Sequence, residues 1–300
     1  MLLDAPSLYF RAFYGIPDSV QAPDGTPVNA LRGMLDMTAQ LIRIYKPDRL
    51  VACFDNDWRP AFRVDALPSY KAHRVAYGDV EEVPDLLTPQ VPLIEQALDA
   101  FGIARLGVDG FEADDVIGTL AVESSGPVEI VTGDRDLFQL VRDDRPISVL
   151  YTAKGMSNLE RIDEAAVTAK YGIPGRSYAD FAILRGDPSD GLPGVPGIGA
   201  KTAAGLLQTY GTVDAMVQAI AAGTADTIAP RLRALLVAHA DYIVSAEVVA
   251  RVAVHAPVPA IDAALPITPK DHAGIIELAD RWGISNSCAR LTQALTALAG

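Results

Sequence analysis

The sequence has almost no cysteine, and the two it has, Cys53 and Cys288, lie far apart and outside any C-x-x-C spacing. That count argues against a disulfide framework and against a cysteine-ligated zinc site, and Cys53, set in an apolar run, reads as a buried thiol. Long apolar runs are missing too: no stretch is long enough to span a bilayer, and no basic segment followed by an apolar one opens the chain. The expectation is a globular, monomeric protein of a reducing cytoplasm, without a membrane partner. Positive charge is the third scarcity. Lys and Arg number 25 against 38 Asp and Glu, a formal net charge of −13, which disfavours a polyanionic partner unless the surplus acid is gathered around cations. With 300 residues, half of them hydrophobic, the chain can fill one large domain or two modest ones.

What the chain has instead is acid in clusters. Between Gly107 and Val141 lie Glu112, Asp114 and Asp115, then Asp134 and Asp136. Ala113, Val116, Ile117, Leu120 and Ala121 recur at helical spacing, so the first cluster falls in the opening turn of a helix. Val128 to Thr132 reads as a short buried strand broken by Gly133, which leaves Asp134 and Asp136 just beyond its C-terminal end. Acids also favour helix starts and strand-end turns for purely structural reasons, and either cluster alone is read equally well that way. On a helical wheel Glu112 and Asp115 share a face while Asp114 points about 100 degrees away from Asp115. Convergence therefore has to come end-on, from the helix tip.

Two further strands tip the balance. Met1 to Asp4 and Leu50 to Phe54 are short apolar runs, the first ending in Asp4 and the second followed by Asp55. Strands separated by helices predict a mostly parallel α/β sheet, and such sheets bind ligands at the C-terminal ends of their strands. Between the first two, Tyr9, Phe10, Phe13 and Tyr14 read as core aromatics, and Thr26 and Pro27 as the N-cap and first residue of a helix running to Lys46. One basic patch opposes the global charge: Trp58 to Arg74 carries Arg59, Arg63, Lys71 and Arg74. On a helix Lys71 and Arg74 share a face beside Tyr70 and His73, placed to receive phosphates. Residues 75 to 88 are irregular and acidic, and Val91 to Phe101 is a core helix.

Past a strand at Ile147 to Tyr151 and a helix capped by Asp163, the composition turns almost wholly helical, with a boundary near Tyr171 to Ser177 where glycine and proline cluster. A helix at Tyr178 to Leu184 leads into G-D-P-S-D-G-L-P-G-V-P-G-I-G-A-K-T, which holds Asp187 and Asp190. Gly194, Gly197 and Gly199 form a compact turn ahead of a helix from Ala200 to Tyr210, where backbone amides and Lys201 can hold a phosphate. It is not a nucleotide P-loop, because Ala200 separates Gly199 from Lys201 and no strand precedes it. Helices at Val213 to Ile220 and Ile228 to Val252, a proline-rich link from Pro257 to Pro269 and an alanine-rich helical tail complete the chain.

From Met1 to about Val258 the ordered set L-L-D, F-D, F-E-A-D-D, T-G-D-R-D-L-F-Q-L and G-D-P-S-D-G-L-P-G-V-P-G-I-G-A-K-T-A resembles the bacterial 5′-nuclease or flap endonuclease family, which includes the N-terminal domain of DNA polymerase I. The resemblance implies a PIN-like nuclease domain over residues 1–175 with a helical arch at about 57–90, a smaller all-helical helix-three-turn-helix domain over 176–260, and a helical tail over 261–300. It implies at least two Mg2+ or Mn2+ ions held by a set drawn from Asp4, Asp55, Glu112, Asp114, Asp115, Asp134, Asp136, Asp187 and Asp190. Lys71 and Arg74 would neutralise charge on the scissile phosphate. Tyr14, Arg59, Arg63, Tyr70, Gly194, Gly197, Gly199, Lys201 and Thr202 would face DNA, with a potassium ion on carbonyls of the glycine turn. The implied activity is two-metal hydrolysis at DNA 5′ ends and 5′ flaps in replication and repair, with a DNA polymerase or sliding clamp as candidate partner. A non-catalytic DNA-structure-binding module and a metal-dependent ribonuclease are the alternatives. One departure stands out: Gly191 follows S-D where the family more often has asparagine, a change that bears on turn geometry and removes no carboxylate.

Overall fold

A computed structural model of the chain describes residues 1–78 and 80–299. Strand β1 (Leu2–Asp4) runs into helix α1 (Ala5–Gly15), and α2 (Asn29–Tyr45) leads to β2 (Val51–Cys53). A short helix α3 (Ala61–Ala66), a single 3-10 turn (Ala72–Arg74) and a hairpin of β3 (Val75–Tyr77) and β4 (Val80–Glu81) follow. Next come α4 (Gln90–Phe101), β5 (Ala104–Leu106), α5 (Ala113–Glu123), β6 (Val128–Thr132), β7 (Ile147–Tyr151) and β8 (Glu160–Ile162). The rest is helical: α6 (Glu164–Tyr171), α7 (Tyr178–Arg185), α8 (Ala200–Tyr210), α9 (Val213–Ala221), α10 (Pro230–Ala238), α11 (Ala240–Ala250), α12 (His272–Trp282) and α13 (Ser285–Thr296).

Six strands form one sheet in the order β5-β2-β1-β6-β7-β8, parallel except for β8. Alternation along β1 and β6 divides the core between the two faces. Leu2 and Ile130 join the apolar cluster that extends under the helical domain, while Leu3 and Val131 join the one built on α1, α2 and α4. Chain order moves outward from β1 through β2 to β5, then returns to the other side of β1 with β6. The reversal between β1 and β6 is the place where helices leave to opposite faces and a crevice opens. Asp4 pairs in register with Cys53, so Asp4, Asp55 and Asp134 come from the C-terminal ends of three adjacent strands.

Several local expectations change in the folded chain. Helix α2 begins at Asn29, not at Pro27, because Thr26 lies in a turn whose carbonyl accepts the Ala22 amide at 2.8 Å. Its first turn is capped from a distance: buried Gln90 accepts the amides of Ala30 and Leu31 at 2.8 and 3.2 Å. The helix expected over Ile228 to Val252 divides at His239 into α10 and α11. Among the described residues from 57 to 89 the only α-helix is α3, and Lys71 has φ +46, which takes Lys71 and Arg74 off any common helical face.

The tail is part of the core. Leu291, Ala294, Leu295, Cys288 and Ile284 pack with Leu31, Leu35 and Ile42 of α2, and Arg290 forks onto Asp36 at 2.7 and 2.8 Å. Leu291 is fully buried, so Leu291→Ala should destabilise the fold by about 2–5 kcal/mol. Urea unfolding checks this, and a loss well under that range would make the tail an appendage.

Candidate metal centre

Each acid at the strand ends is positioned by backbone geometry. Asp4 closes β1 and caps α1, one oxygen accepting the Ser7 amide at 3.1 Å and the other the Thr132 hydroxyl at 2.5 Å. Thr132, the last residue of β6, also accepts the Asp134 amide at 2.8 Å, and Gly133 donates to the Ser7 hydroxyl at 2.8 Å. Asp134 in turn accepts the Asp136 amide at 2.8 Å. Two residues beyond β2, Asp55 accepts the Ala113 amide at 2.6 Å and so ties β2 to the tip of α5. Asp114 stands in the first turn of that helix, as the end-on approach requires.

Asp4, Asp55, Asp114 and Asp134 line one open cavity of about 780 Å³, with Glu112, Lys71, Arg74, Arg11, Arg135, Ser7, Phe10 and Tyr14 among its other walls. Burial, followed by the Asp134 charge, pushes the Asp4 carboxyl up to about 6, against the hydrogen bonds from Thr132 and Ser7. Burial and then Glu112 raise Asp55 to about 7. Asp114 is raised well above the usual carboxylate range by burial, then by Asp134 and Asp4. Among the described residues none of these four makes a salt bridge. Oxygen donors short of positive charge suit a hard divalent cation.

Among the described residues no three acidic, histidine or cysteine side chains enclose a single point closely enough to hold an ion directly. Magnesium keeps several of its waters, so carboxylates spaced around a cavity can hold it through water or after a rotamer change. The donor set therefore fits the group.

Glu112 and Asp115 belong to a different arrangement. Arg63, expected at a DNA-facing surface, is 2% exposed; it pairs with Glu112 and grips Asp115 at 2.6 and 2.8 Å. Burial works against its charge, but the two carboxylates raise its pKa overall. Asp115, fully buried, also accepts the Ala253 amide at 2.8 Å and the Glu112 amide at 3.2 Å, so its carboxylate faces the interior and not the cavity. Tyr70 is likewise buried, with its hydroxyl on Glu112 at 2.5 Å, which removes it as a base-stacking surface. Lys71 completes the group by pairing with Glu112 and donating to the Trp58 carbonyl at 3.5 Å. Arg59 spends two nitrogens on the carbonyls of Tyr70 and Pro68, at 2.6 and 2.9 Å.

A second acidic group lies outside the cavity lining. Asp136 is raised by burial and by Asp134, Asp190 and Asp187. Asp190 is raised by burial, an effect that Lys71 offsets in part. Asp187 is committed to its own turn, accepting the Ser189 amide at 3.0 Å and pairing with Arg185 at 3.1 Å.

Of the surface positions, Tyr14 is 73% exposed at the cavity mouth, contrary to a core reading, and stacks on Phe10 with ring centroids 6.4 Å apart. Gly197, Gly199, Lys201 and Thr202 are exposed at the start of α8. Gly194 is not: it is buried, its amide donates to the Tyr242 hydroxyl at 2.9 Å, and a Cβ there would fall 2.6 Å from the Arg185 carbonyl carbon. Sequence reasoning passed over Ser7, Arg11, Thr132 and Arg135. Of these, Ser7 was detectable as the third residue after a capping aspartate.

A family model described as "5'-3' exonuclease, N-terminal resolvase-like domain" matches residues 1–172, and one described as "5'-3' exonuclease, C-terminal SAM fold" matches residues 173–273. The chain is 56% identical over 302 residues to a "5'-3' exonuclease" of Streptomyces coelicolor, covering 99% of this chain and 100% of that one. It is 45% identical over 221 residues to "DNA polymerase I" of Mycobacterium bovis, 72% of this chain but only 24% of that protein. Among solved structures, T5 5'-exonuclease with bound zinc superposes with a TM-score of 0.63 at 17% identity, over 100% of this chain and 99% of that one. Human GEN1 in complex with Holliday junction DNA gives a TM-score of 0.64 at 16% identity, over 99% and 71%. At these identities the structural likeness concerns the fold.

Two stability measurements follow. The folded values of Asp4 and Asp55, about 6 and about 7, lie above the ordinary 3.8, so the folded chain holds protons more tightly than the unfolded one. In chelator the thermal midpoint should therefore fall as pH rises from about 4 to about 7, and Asp55→Asn should raise it at neutral pH. A midpoint that climbs across that window would mean the acids are already neutralised. Arg63→Ala should cost about 3–5 kcal/mol in urea unfolding, because it leaves buried Asp115 without a cation and Glu112 with Lys71 alone. Unchanged stability with a loss only of DNA affinity would return Arg63 to the surface.

Proposed function

Since the chain belongs to the 5′-3′ exonuclease family, matched from residue 1 to residue 273 and at high identity by a full-length relative of that name, and is a nuclease of that class, we propose that it hydrolyses DNA phosphodiesters at 5′ ends and 5′ flaps, in replication and repair, with Mg2+ or Mn2+. The observation that carries this reading is the cavity itself: four carboxylates from four separate segments, Asp4, Asp55, Asp114 and Asp134, face Lys71 and Arg74 across one opening. Divalent ions bound there would supply an activated water and stabilise charge on the attacking and leaving oxygens.

The chain's own residues do the rest. Asp4, Asp55, Asp114 and Asp134 serve as donors, with Asp136 and Asp190 behind them as a second, more distant group. Lys71 and Arg74 hold a phosphate against the acids, and their cations compensate negative charge that grows on it. Tyr14 offers an open ring at the mouth on which an unpaired base can stack. In this reading the α/β part, residues 1–175, carries the chemistry, and the helices of 176–260 hold the duplex through Gly197, Gly199, Lys201 and Thr202, with potassium on the turn's carbonyls. A T5 flap endonuclease that shares the fold forms a pseudo-enzyme-product complex with DNA and metal ions.

A 5′-labelled flap DNA, assayed with and without chelator beside single-stranded RNA, tests the assignment. The flap should be cut only with the divalent ion, and the RNA should be spared. Asp55→Asn should abolish cutting while preserving DNA binding, and Lys71→Ala should lower turnover on the order of a hundredfold with little change in affinity. Normal cutting by Asp55→Asn with magnesium would remove that residue from the donor set, and cleavage in chelator would sink the metal-dependent reading.

A further inference from the structure

The wall of the cavity that bears Lys71 is not α-helical, and its shape depends on a residue that has no side chain. Segment 68–74 lies against the turn 187–192 through three hydrogen bonds, each donated by the segment to a carbonyl of the turn. The Ser69 hydroxyl donates to the Gly191 carbonyl at 3.0 Å, the Lys71 amide to the Asp190 carbonyl at 3.2 Å, and the Arg74 guanidinium to the Ser189 carbonyl at 3.1 Å. Arg59 staples the other side of the segment through the carbonyls of Pro68 and Tyr70.

At the centre of this interface stands Gly191. Its φ is +74, a region that L side chains rarely adopt, and a Cβ would lie 2.1 Å from the Ser69 carbonyl oxygen and 3.5 Å from the Lys71 amide nitrogen. The atom in the way is backbone, so it cannot swing aside as a flexible side chain would. Lys71 itself has φ +46, a conformation that a residue with a Cβ holds only where its surroundings enforce it. That conformation directs the Lys71 ammonium to Glu112 and the Trp58 carbonyl at the cavity wall.

We propose that Gly191 is a positioning residue: its bare backbone lets segment 68–74 dock on the turn 187–192, and this docking holds Lys71 in the cavity. The inference rests on the nuclease reading for its kinetic consequence and on geometry alone for its structural one, so the two can fail separately. Gly191→Ala should lower kcat on flap DNA by roughly a hundredfold, the scale of a misplaced group, with KM little changed. In a Lys71→Ala/Arg74→Ala background the same substitution should change kcat by less than about twofold, because both groups it displaces are already gone. Hydrogen exchange should accelerate in the peptide spanning 69–74 and stay unchanged in β1 and β6, which distinguishes undocking from misfolding. Equal kcat losses in both backgrounds, or unaltered exchange at 69–74 in Gly191→Ala, would overturn the proposal. An inactive wild type with accelerated exchange in the variant would instead overturn the nuclease reading and keep the docking.

Discussion

Like charges brought together around one crevice govern this molecule. Six carboxylates approach the C-terminal ends of β2, β1 and β6, and the chain neutralises only some of them. Glu112 and Asp115 receive Arg63 and Lys71, two cations for two anions, and of these four Arg63 and Asp115 lie in the interior while Lys71 reaches the cavity wall. Asp4, Asp55, Asp114 and Asp134 receive hydrogen bonds or nothing, and the raised pKa values of the first three record the deficit. Hydrogen bonds from Thr132 and Ser7 lower the cost at Asp4 without supplying charge. A chain of net charge −13 thus leaves part of its acid uncompensated around one cavity, where a divalent cation could balance it and where Lys71, Arg74, Arg11 and Arg135 are the basic neighbours.

Parallel pairing is what makes the crowding possible. In register, β1 and β2 place Asp4 beside Cys53, and Asp55 follows where the strand has ended and its side chain is free of the sheet. The same holds for Asp134 after Thr132. An antiparallel neighbour would have put the ends of adjacent strands at opposite edges. The helix tip of α5 then approaches from above, and its free amides explain why Asp55 is drawn to Ala113.

Much of this was legible in the residues. The strands at Val128 to Thr132 and Ile147 to Tyr151 and the helix from Ala200 to Tyr210 fall where pattern and punctuation put them. The acids at three strand ends were readable because apolar runs closed by aspartate are local features. What was hidden depends on partners far along the chain. Arg63 looks like any surface arginine until α3 folds onto α5, and Tyr70 like an exposed aromatic until its hydroxyl meets Glu112. The start of α2 is set by Gln90, sixty residues downstream of Ala30, so no local cap signal marks it. The 57–90 segment resisted reading for the opposite reason: helical spacing of Lys71 and Arg74 was real, but docking on the 187–192 turn overrode it.

The buried Arg63 group also ties the helical part of the chain to the tip of α5. Arg63 donates to the Arg251 carbonyl at 3.3 Å, and Asp115 accepts the Ala253 amide, so the tip of α5 is tied to the end of α11. Arg251 carries the tie onward with its side chain, binding Asp180 of α7 at 2.7 Å and Glu247 at 3.0 Å. Helix α7 runs directly into the 187–192 turn and from there into the glycine turn before α8. A surface interaction chain of this length would be weakened by water and salt, but one in which Arg63, Asp115 and Asp180 are buried is screened far less. Such a network has little freedom to rotate, because each missing partner would leave a charge stranded. The network thus ties the tip of α5, beside the crevice acids, to α11 and α7, and through α7 to the two turns that precede α8.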